Sequence, residues 1–149
     1  MKYKNIIRKN ELLFQYRCKL GFSQVDAGGV IFCSRLIDLA HEAYEAFLDE
    51  LEFSINYIIS STEFLIPIVS VTAEFKKTMR LGDTFEIEII PKQKGNHSFQ
   101  IDYMFYDSNS ILSATVVTNH VVLDKKSKKT RKIPKQLLLG IHKFSSKVS

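Results

Sequence analysis

The sequence predicts an α+β domain in which an antiparallel sheet packs on one long helix. Three patterns carry that prediction. Residues 34–51 repeat apolar side chains every three or four positions, the period of a helix with one buried face. Several other runs, most of them after Pro67, alternate apolar and polar side chains. The segments between those runs are short and rich in Gly, Asn, Asp and Ser, which suits strands joined antiparallel to their neighbours.

The first alternating stretch is LLFQYRCKL, residues 12–20. Phe14, Tyr16, Cys18 and Leu20 fall on one face, and Gln15, Arg17 and Lys19 on the other. In the helical stretch Leu36, Ala40, Ala43, Phe47 and Leu51 form the apolar stripe. Arg35, Asp38, Glu42, Glu45 and Asp49 form the opposite one, with His41 and Tyr44 on the flank between them. Ser34 is the expected N-cap, and Asp38 adds negative charge near the first turn. SINYIISSTEF then reads as a connection with a short helical piece.

Beyond Pro67, IVSVTAEFK alternates Val69, Val71, Ala73 and Phe75 against Ser70, Thr72, Glu74 and Lys76. LGD is a turn, TFEIEII a strand, and KGN a hairpin. SFQIDYMFY points Phe99, Ile101, Tyr103 and Phe105 inward, and DSNS turns the chain into ILSATVVTNHVVLD, a strand long enough to hold a bulge. PKQLLLGIHKF reads as a C-terminal helix opened by Pro134. No repeat or linker interrupts the pattern. The expectation is one domain, 1–149, with a core at about 12–134 and a basic C-terminal tail.

Composition narrows the function classes. With 149 residues, 45% hydrophobic and 25% charged, the chain can bury a core without staples. Cys18 and Cys33 are two thiols outside any CxxC pair, so neither a metal nor a redox motif is expected. MKYKNIIRKN lacks the apolar core of a secretory signal, and no run approaches a membrane span; a cytoplasmic protein without membrane insertion is expected. The net charge of +5 is concentrated in DKKSKKTRK, residues 124–132, read as a solvated loop rather than a dedicated polyanion site. No DNA-binding helix pair is evident, so no nucleic-acid partner is expected. No GxxxxGKS loop is present, which argues against ATP chemistry.

The chemistry-bearing stretch is FSQVDAGGVIFCSRLIDLAHEAYEAFL, residues 22–48. Asp26 stands beside Gly28 and Gly29 at the entrance to the helix. A helix N-terminus offers backbone N–H groups that no carbonyl of the helix accepts, and these can stabilise a developing oxyanion. A carboxylate beside them can attack a carbonyl carbon or activate water. Read alone, VDAGG is also ordinary turn chemistry, with Asp26 bonded to local backbone.

Three blocks resemble the hot-dog fold thioesterases of the 4-hydroxybenzoyl-CoA thioesterase family. They are VDAGGVIFCSRLIDLAHEAYEAFL, PIVSVTAEFKKTMRLGD and QIDYMFYDSNSILSATVVTNHVVLD. Within that family, DAGGVIF and HEAYEAFL look most like 1,4-dihydroxy-2-naphthoyl-CoA thioesterases of phylloquinone and menaquinone synthesis. The resemblance implies an antiparallel sheet wrapped around one central helix, an acyl-CoA substrate, no cofactor beyond the coenzyme A that the substrate carries, and a homodimer or homotetramer. It implies catalysis by Asp26, the backbone N–H of Cys33 as oxyanion donor, and Gly28 and Gly29 as the turn that shapes the site. The alternatives are a broader acyl-CoA or acyl-carrier thioesterase on the same site and a non-catalytic hot-dog module that binds acyl-CoA, against which the retained Asp26 argues. Val25, Cys33 and Ser34 depart from the family pattern, where Thr or Cys, an aromatic residue and Asn are common.

His41 is read two ways, as a contact to a substrate hydroxyl or as a helix histidine bonded to a neighbouring strand. Glu42 and Glu45 are placed on the solvent or subunit-contact face. His97, His120 and His142 are read as structural or exposed. Lys76, Lys77 and Arg80 are the candidates for coenzyme A phosphate contacts, and the basic run offers Lys125, Lys126, Lys128 and Lys129 as a second set.

Overall fold

A computed structural model describes residues 2–8, 11–61 and 63–145. Strands β1 (Tyr3–Arg8) and β2 (Glu11–Lys19) lead into helix α1 (Cys33–Glu50) and the short helix α2 (Ile55–Ser61). Then follow β3 (Phe64–Leu65), β4 (Ile68–Phe75), β5 (Thr84–Gln93), β6 (Ser98–Tyr106), β7 (Leu112–Val121), β8 (Leu123–Asp124) and helix α3 (Lys135–Ser145). Six strands form one antiparallel sheet in the order β1-β2-β5-β6-β7-β4, and β3 pairs with β8 in a small second ladder. The fold is the α+β hot-dog arrangement, a sheet wrapped around α1.

The alternating runs explain which sheet face is buried. Phe85, Ile87 and Ile89 of β5 and Phe99, Ile101, Tyr103 and Phe105 of β6 are inaccessible. Leu36, Ala40, Ala43 and Phe47 of α1 are equally so. Alanines at two of those stripe positions let helix and sheet approach closely, while Phe47 fills the space toward β2 by packing edge-on against Phe14 at 5.5 Å. Burying a side chain of that size stabilises the fold by about 3 kcal/mol.

Four features differ from the sequence reading. Strand β1 lies before the expected core. Its pattern is half-exposed because it is an edge strand, so alternation was weak there. The helix N-cap is Phe32 rather than Ser34. The N–H of Phe32 is bonded to the Gln24 carbonyl at 3.1 Å, which sets the entry angle one turn of chemistry earlier than a side-chain cap would. The basic segment is not part of a tail. It is a closed turn, followed by α3, whose Leu137, Ile141 and Phe144 join the core. Val69, Val71 and Phe75 are 60%, 41% and 44% exposed, because β4 is the other edge of the sheet. The bulge anticipated within the long last strand is present at Ser113, where Phe105 and Tyr106 of β6 pair with Ala114 and Leu112; a second shift, at Ile68/Ser70, lies in β4 instead.

Candidate active site

The candidate site is built where β2 gives way to α1. Residues 22–24 form a single 3₁₀ turn, and Val25 pairs with Ile31 across a tight loop. The Asp26 N–H donates to the Val30 carbonyl at 2.8 Å, and the Gly29 N–H donates to the Asp26 carbonyl at 3.0 Å. One carboxylate oxygen of Asp26, Oδ1, accepts from the N–H groups of Gly28 at 2.8 Å and Val30 at 3.2 Å. This is the local turn bonding that the residue types allow. The other oxygen, Oδ2, has no hydrogen-bond partner among the described residues, and the side chain is exposed.

Gly29 is favoured by its backbone conformation, and Gly28 by the tight approach of the Asp26 carboxylate. Gly29 has φ +77°, a conformation that costs an L-residue roughly 1–2 kcal/mol. A Cβ on Gly28 would stand 3.2 Å from Asp26 Oδ1, in the space through which its N–H reaches the carboxylate. The loop is then docked on the β4–β5 connection: the Ile31 N–H donates to Met79 at 3.1 Å, the Leu81 N–H donates to Gly29 at 2.9 Å, and Val30 bridges Arg80.

Helix α1 begins immediately after this loop. The N–H groups of Arg35 and Leu36 both donate to the Phe32 carbonyl, at 3.0 and 3.2 Å. Those of Cys33 and Ser34 have no backbone acceptor among the described residues, and Phe32 supplies no side-chain cap. The helix therefore presents two open donors, with the positive end of its dipole behind them. Cys33 is exposed and contributes its backbone. Ser34, taken from sequence as a cap, instead stands beside Cys33 as a second donor. No local sequence signal could have distinguished these roles, because both residue types tolerate either.

The other candidates are distributed around this centre. Lys76 Nζ is held by Glu74 at 2.7 Å, and Lys77 Nζ by Asp107 at 2.8 Å. These bonds hold the Glu74 and Asp107 carboxyls below the usual range. Arg80 is exposed, and its guanidinium has no partner among the described residues, so of the three it is the cation free to meet a phosphate. Val30, Ile31, Phe75 and Met79 line an open cavity of about 370 Å³ against the loop, with Lys76 and Lys77 at its rim.

His41 is exposed on α1. Its charge is felt by His120 in a buried polar cluster that sequence reasoning did not assemble. His120 of β7 is inaccessible and stacks on Phe99 at 4.6 Å, with the Tyr44 ring at 4.8 Å. Its Nε2 lies 2.7 Å from Thr118 Oγ1, which in turn lies 3.3 Å from the Tyr103 hydroxyl. Burial, aided by the charge of nearby His41, lowers the His120 pKa to about 4, and its Nδ1 has no partner among the described residues. The structural reading of His120 agrees with this placement. His142 Nε2 lies 2.7 Å from Gln93 Oε1 at the surface, and the backbone carbonyl of His97 accepts from Val122. Glu42 accepts from the Tyr16 hydroxyl at 3.1 Å, while Glu45 is exposed. Burial and then the Glu42 bond push Tyr16 up to about 12.

Comparison with known proteins places this geometry among relatives. A model of the thioesterase-like superfamily matches residues 20–141. The chain is 31% identical over 135 residues to a 1,4-dihydroxy-2-naphthoyl-CoA hydrolase of Trichodesmium erythraeum, spanning 89% of this chain and 98% of the relative. It is 33% identical over 125 residues to the enzyme of the same name from Prochlorococcus marinus, spanning 80% and 82%. The crystal structure of a 1,4-dihydroxy-2-naphthoyl-CoA thioesterase from Synechocystis superposes with a TM-score of 0.84 at 25% identity, covering 90% of this chain and 98% of that one. No helix among the described residues is long and apolar enough to cross a membrane.

Proposed function

The chain belongs to the thioesterase-like superfamily, and we propose that it hydrolyses an aromatic acyl-CoA thioester, 1,4-dihydroxy-2-naphthoyl-CoA, to the free acid and coenzyme A. The observation that carries the chemistry is the placement, within nine residues of chain at the entrance to α1, of a carboxylate with a free oxygen at Asp26 and open backbone donors at Cys33 and Ser34. The names of the cyanobacterial relatives carry the substrate.

In this reading the thioester carbonyl oxygen points at the Cys33 and Ser34 N–H groups. They strengthen their hold as negative charge moves onto that oxygen in the tetrahedral transition state. Asp26 supplies the nucleophile by one of two balanced routes. Its Oδ2 bonds to the carbonyl carbon as the C–S bond breaks and the CoA thiolate leaves, after which water cleaves the mixed anhydride. Alternatively it takes a proton from a water that attacks the same carbon; the tetrahedral intermediate then collapses with cleavage of the C–S bond, and the departing coenzyme A thiolate takes up the proton. Fixing Oδ1 with two N–H bonds orients Oδ2 without consuming it. The aryl group and the pantetheine arm lie along the cavity beside Val30, Ile31 and Met79, and Arg80 meets a phosphate of coenzyme A. His41 lies farther along the same helix, where an acyl hydroxyl could meet it.

The free edge of β4, with Val69, Val71 and Phe75 exposed, is the surface on which a second copy pairs. A homodimer is the minimal assembly, and a tetramer of two dimers its extension. The reaction belongs to phylloquinone or menaquinone synthesis.

The test is a panel of acyl-CoAs with the purified protein. The proposal expects kcat/KM to be highest for 1,4-dihydroxy-2-naphthoyl-CoA. A higher value for acetyl-CoA or palmitoyl-CoA would remove the substrate and leave the reaction class. No thiol release from any member of the panel would remove the reaction.

A further inference from the structure

The basic segment 124–132 contains Lys125, Lys126, Lys128, Lys129, Arg131 and Lys132, and the chemistry proposed at Asp26 and the N-terminus of α1 draws on none of them. The structure builds it as a closed, internally hydrogen-bonded turn. Asp124 Oδ2 accepts from the N–H groups of Lys126 at 3.1 Å and Ser127 at 2.8 Å. The Lys128 N–H donates to the Asp124 carbonyl at 2.9 Å, and the Asp124 N–H donates to Lys129 at 2.8 Å, which closes the turn. Lys128 sits at φ +61° at its tip. A solvated loop of free lysines needs no such closure.

Two of the cations do not face solvent freely. Lys125 fastens the turn to helix α2, and Arg131 ties it to Glu63, which lies beyond that helix. Lys125 Nζ donates to the Ile59 carbonyl at 2.7 Å, and Arg131 reaches Glu63 at 3.5 Å and Asp124 at 3.5 Å. The other four, Lys126, Lys128, Lys129 and Lys132, are exposed and have no carboxylate partner among the described residues. The fastening places α2 beside them. That helix exposes Ile59 at 65% and Tyr57 at 45%, although Tyr57 packs one edge against Phe53 at 5.6 Å. The result is a fixed cluster of unpaired lysines next to an exposed aliphatic and an exposed tyrosine.

We propose that this face, the 124–132 turn with Tyr57 and Ile59 of α2, docks the protein on an anionic membrane surface. Two independent features favour lipid over other polyanions. The lysines match a surface of phosphate headgroups by charge, and their aliphatic stems tolerate the boundary layer. The exposed isoleucine and tyrosine match the acyl boundary beneath those headgroups, and a nucleic-acid backbone offers no such apolar layer. Docking is peripheral, and the residues it uses are distinct from those of the Asp26 loop. It does not depend on the identity of the acyl group.

The experiment is co-sedimentation of the full chain with phosphatidylcholine vesicles, with and without phosphatidylglycerol, across a salt series. The wild type is expected to bind only the anionic vesicles and to dissociate as salt rises. Each Lys→Gln change at 126, 128 or 129 is expected to lower the partition coefficient roughly fivefold, the factor that corresponds to about 1 kcal/mol per lysine. Ile59→Ser is expected to weaken binding while leaving the salt dependence unchanged. Thiol release from soluble acyl-CoA and the melting temperature, measured on the same samples, report whether the variants are folded. Equal binding to neutral and anionic vesicles, no binding to either, or undiminished binding by the folded triple Lys→Gln variant overturns the proposal. So does a single-stranded oligonucleotide that binds the wild type through the same lysines when vesicles do not. The wild-type salt series stands by itself if the variants fail to fold.

Discussion

Replacing Asp26 with Asn separates architecture from chemistry at the loop. Asn is the same size and retains an Oδ1 that can accept from the Gly28 and Val30 N–H groups, now at 2.8 and 3.2 Å to the carboxylate. What changes is the atom at the Oδ2 position, which becomes an NH₂ with neither charge nor basicity. Hydrogen bonds to a charged acceptor are worth more than those to a neutral one, so the exposed loop loses about 1 kcal/mol of stability. The open N–H groups of Cys33 and Ser34 are untouched, so substrate affinity is expected to hold. Loss of the nucleophile or base is expected to lower kcat at least ~10²-fold, equivalent to about 2.7 kcal/mol in the barrier. The assay is thiol release with a chromogenic reagent at saturating acyl-CoA, with Kd measured separately by calorimetry and folding checked by Tm. A drop in kcat at constant Kd assigns chemistry to Asp26. A folded Asp26→Asn protein with near wild-type kcat refutes it, and Glu42, held by Tyr16, becomes the next group to test.

Three further outcomes follow from the same geometry. His120, walled in by Tyr44 of α1, Phe99 and Tyr103 of β6 and Thr118 of β7, titrates at about 4 when folded and near 6.5 when unfolded. The unfolded chain therefore takes up the proton first. The stability this group contributes is complete above about 6.5 and is lost as pH falls toward 4, by roughly 3 kcal/mol in all. Urea titrations over that window should show the slope, and His120→Phe should flatten it; an unchanged slope would contradict the assignment. Gly29→Ala places a Cβ at φ +77° and is expected to cost about 1–2 kcal/mol and to lower kcat through the displaced loop, read from denaturant midpoints and turnover. Sedimentation at micromolar concentration is expected to find a dimer or larger, because β4 leaves an unpaired edge bearing Val69, Val71 and Phe75; a stable monomer would rule out edge pairing.

Much of the fold was legible because it rests on periods. The 3.6-residue stripe of Leu36, Ala40, Ala43 and Phe47 and the two-residue alternation of Phe99, Ile101, Tyr103 and Phe105 each state a buried face directly, and all eight side chains are inaccessible. The turn residues KGN and DSNS likewise marked the hairpins β5–β6 and β6–β7, since their backbone preferences are local; LGD also turns the chain, but β4 and β5 on either side of it do not pair, because β4 crosses to the far edge beside β7. The Asp26 loop was legible for the same reason: an acid beside paired glycines prescribes a turn wherever it stands.

What depended on the rest of the chain was not. Strand β1 exists because Arg8 reaches across to the buried Glu88 and because β2 offers an open edge, neither of which is written in YKNIIR. Phe32 rather than Ser34 ends the loop because its N–H is drawn to Gln24, a contact set by the 3₁₀ turn, and this leaves two donors open where a serine cap would have filled one. Lys77 meets Asp107 across 30 residues, and His120 meets Thr118, Phe99 and Tyr44 from three elements. The sequence by itself determined which faces must be buried and where the chain must turn, because those are properties of neighbours along the backbone. Only the tertiary structure decided which donors stay open, which cations are already paired and which histidine is sealed from water, because each depends on groups that folding brings together from distant positions.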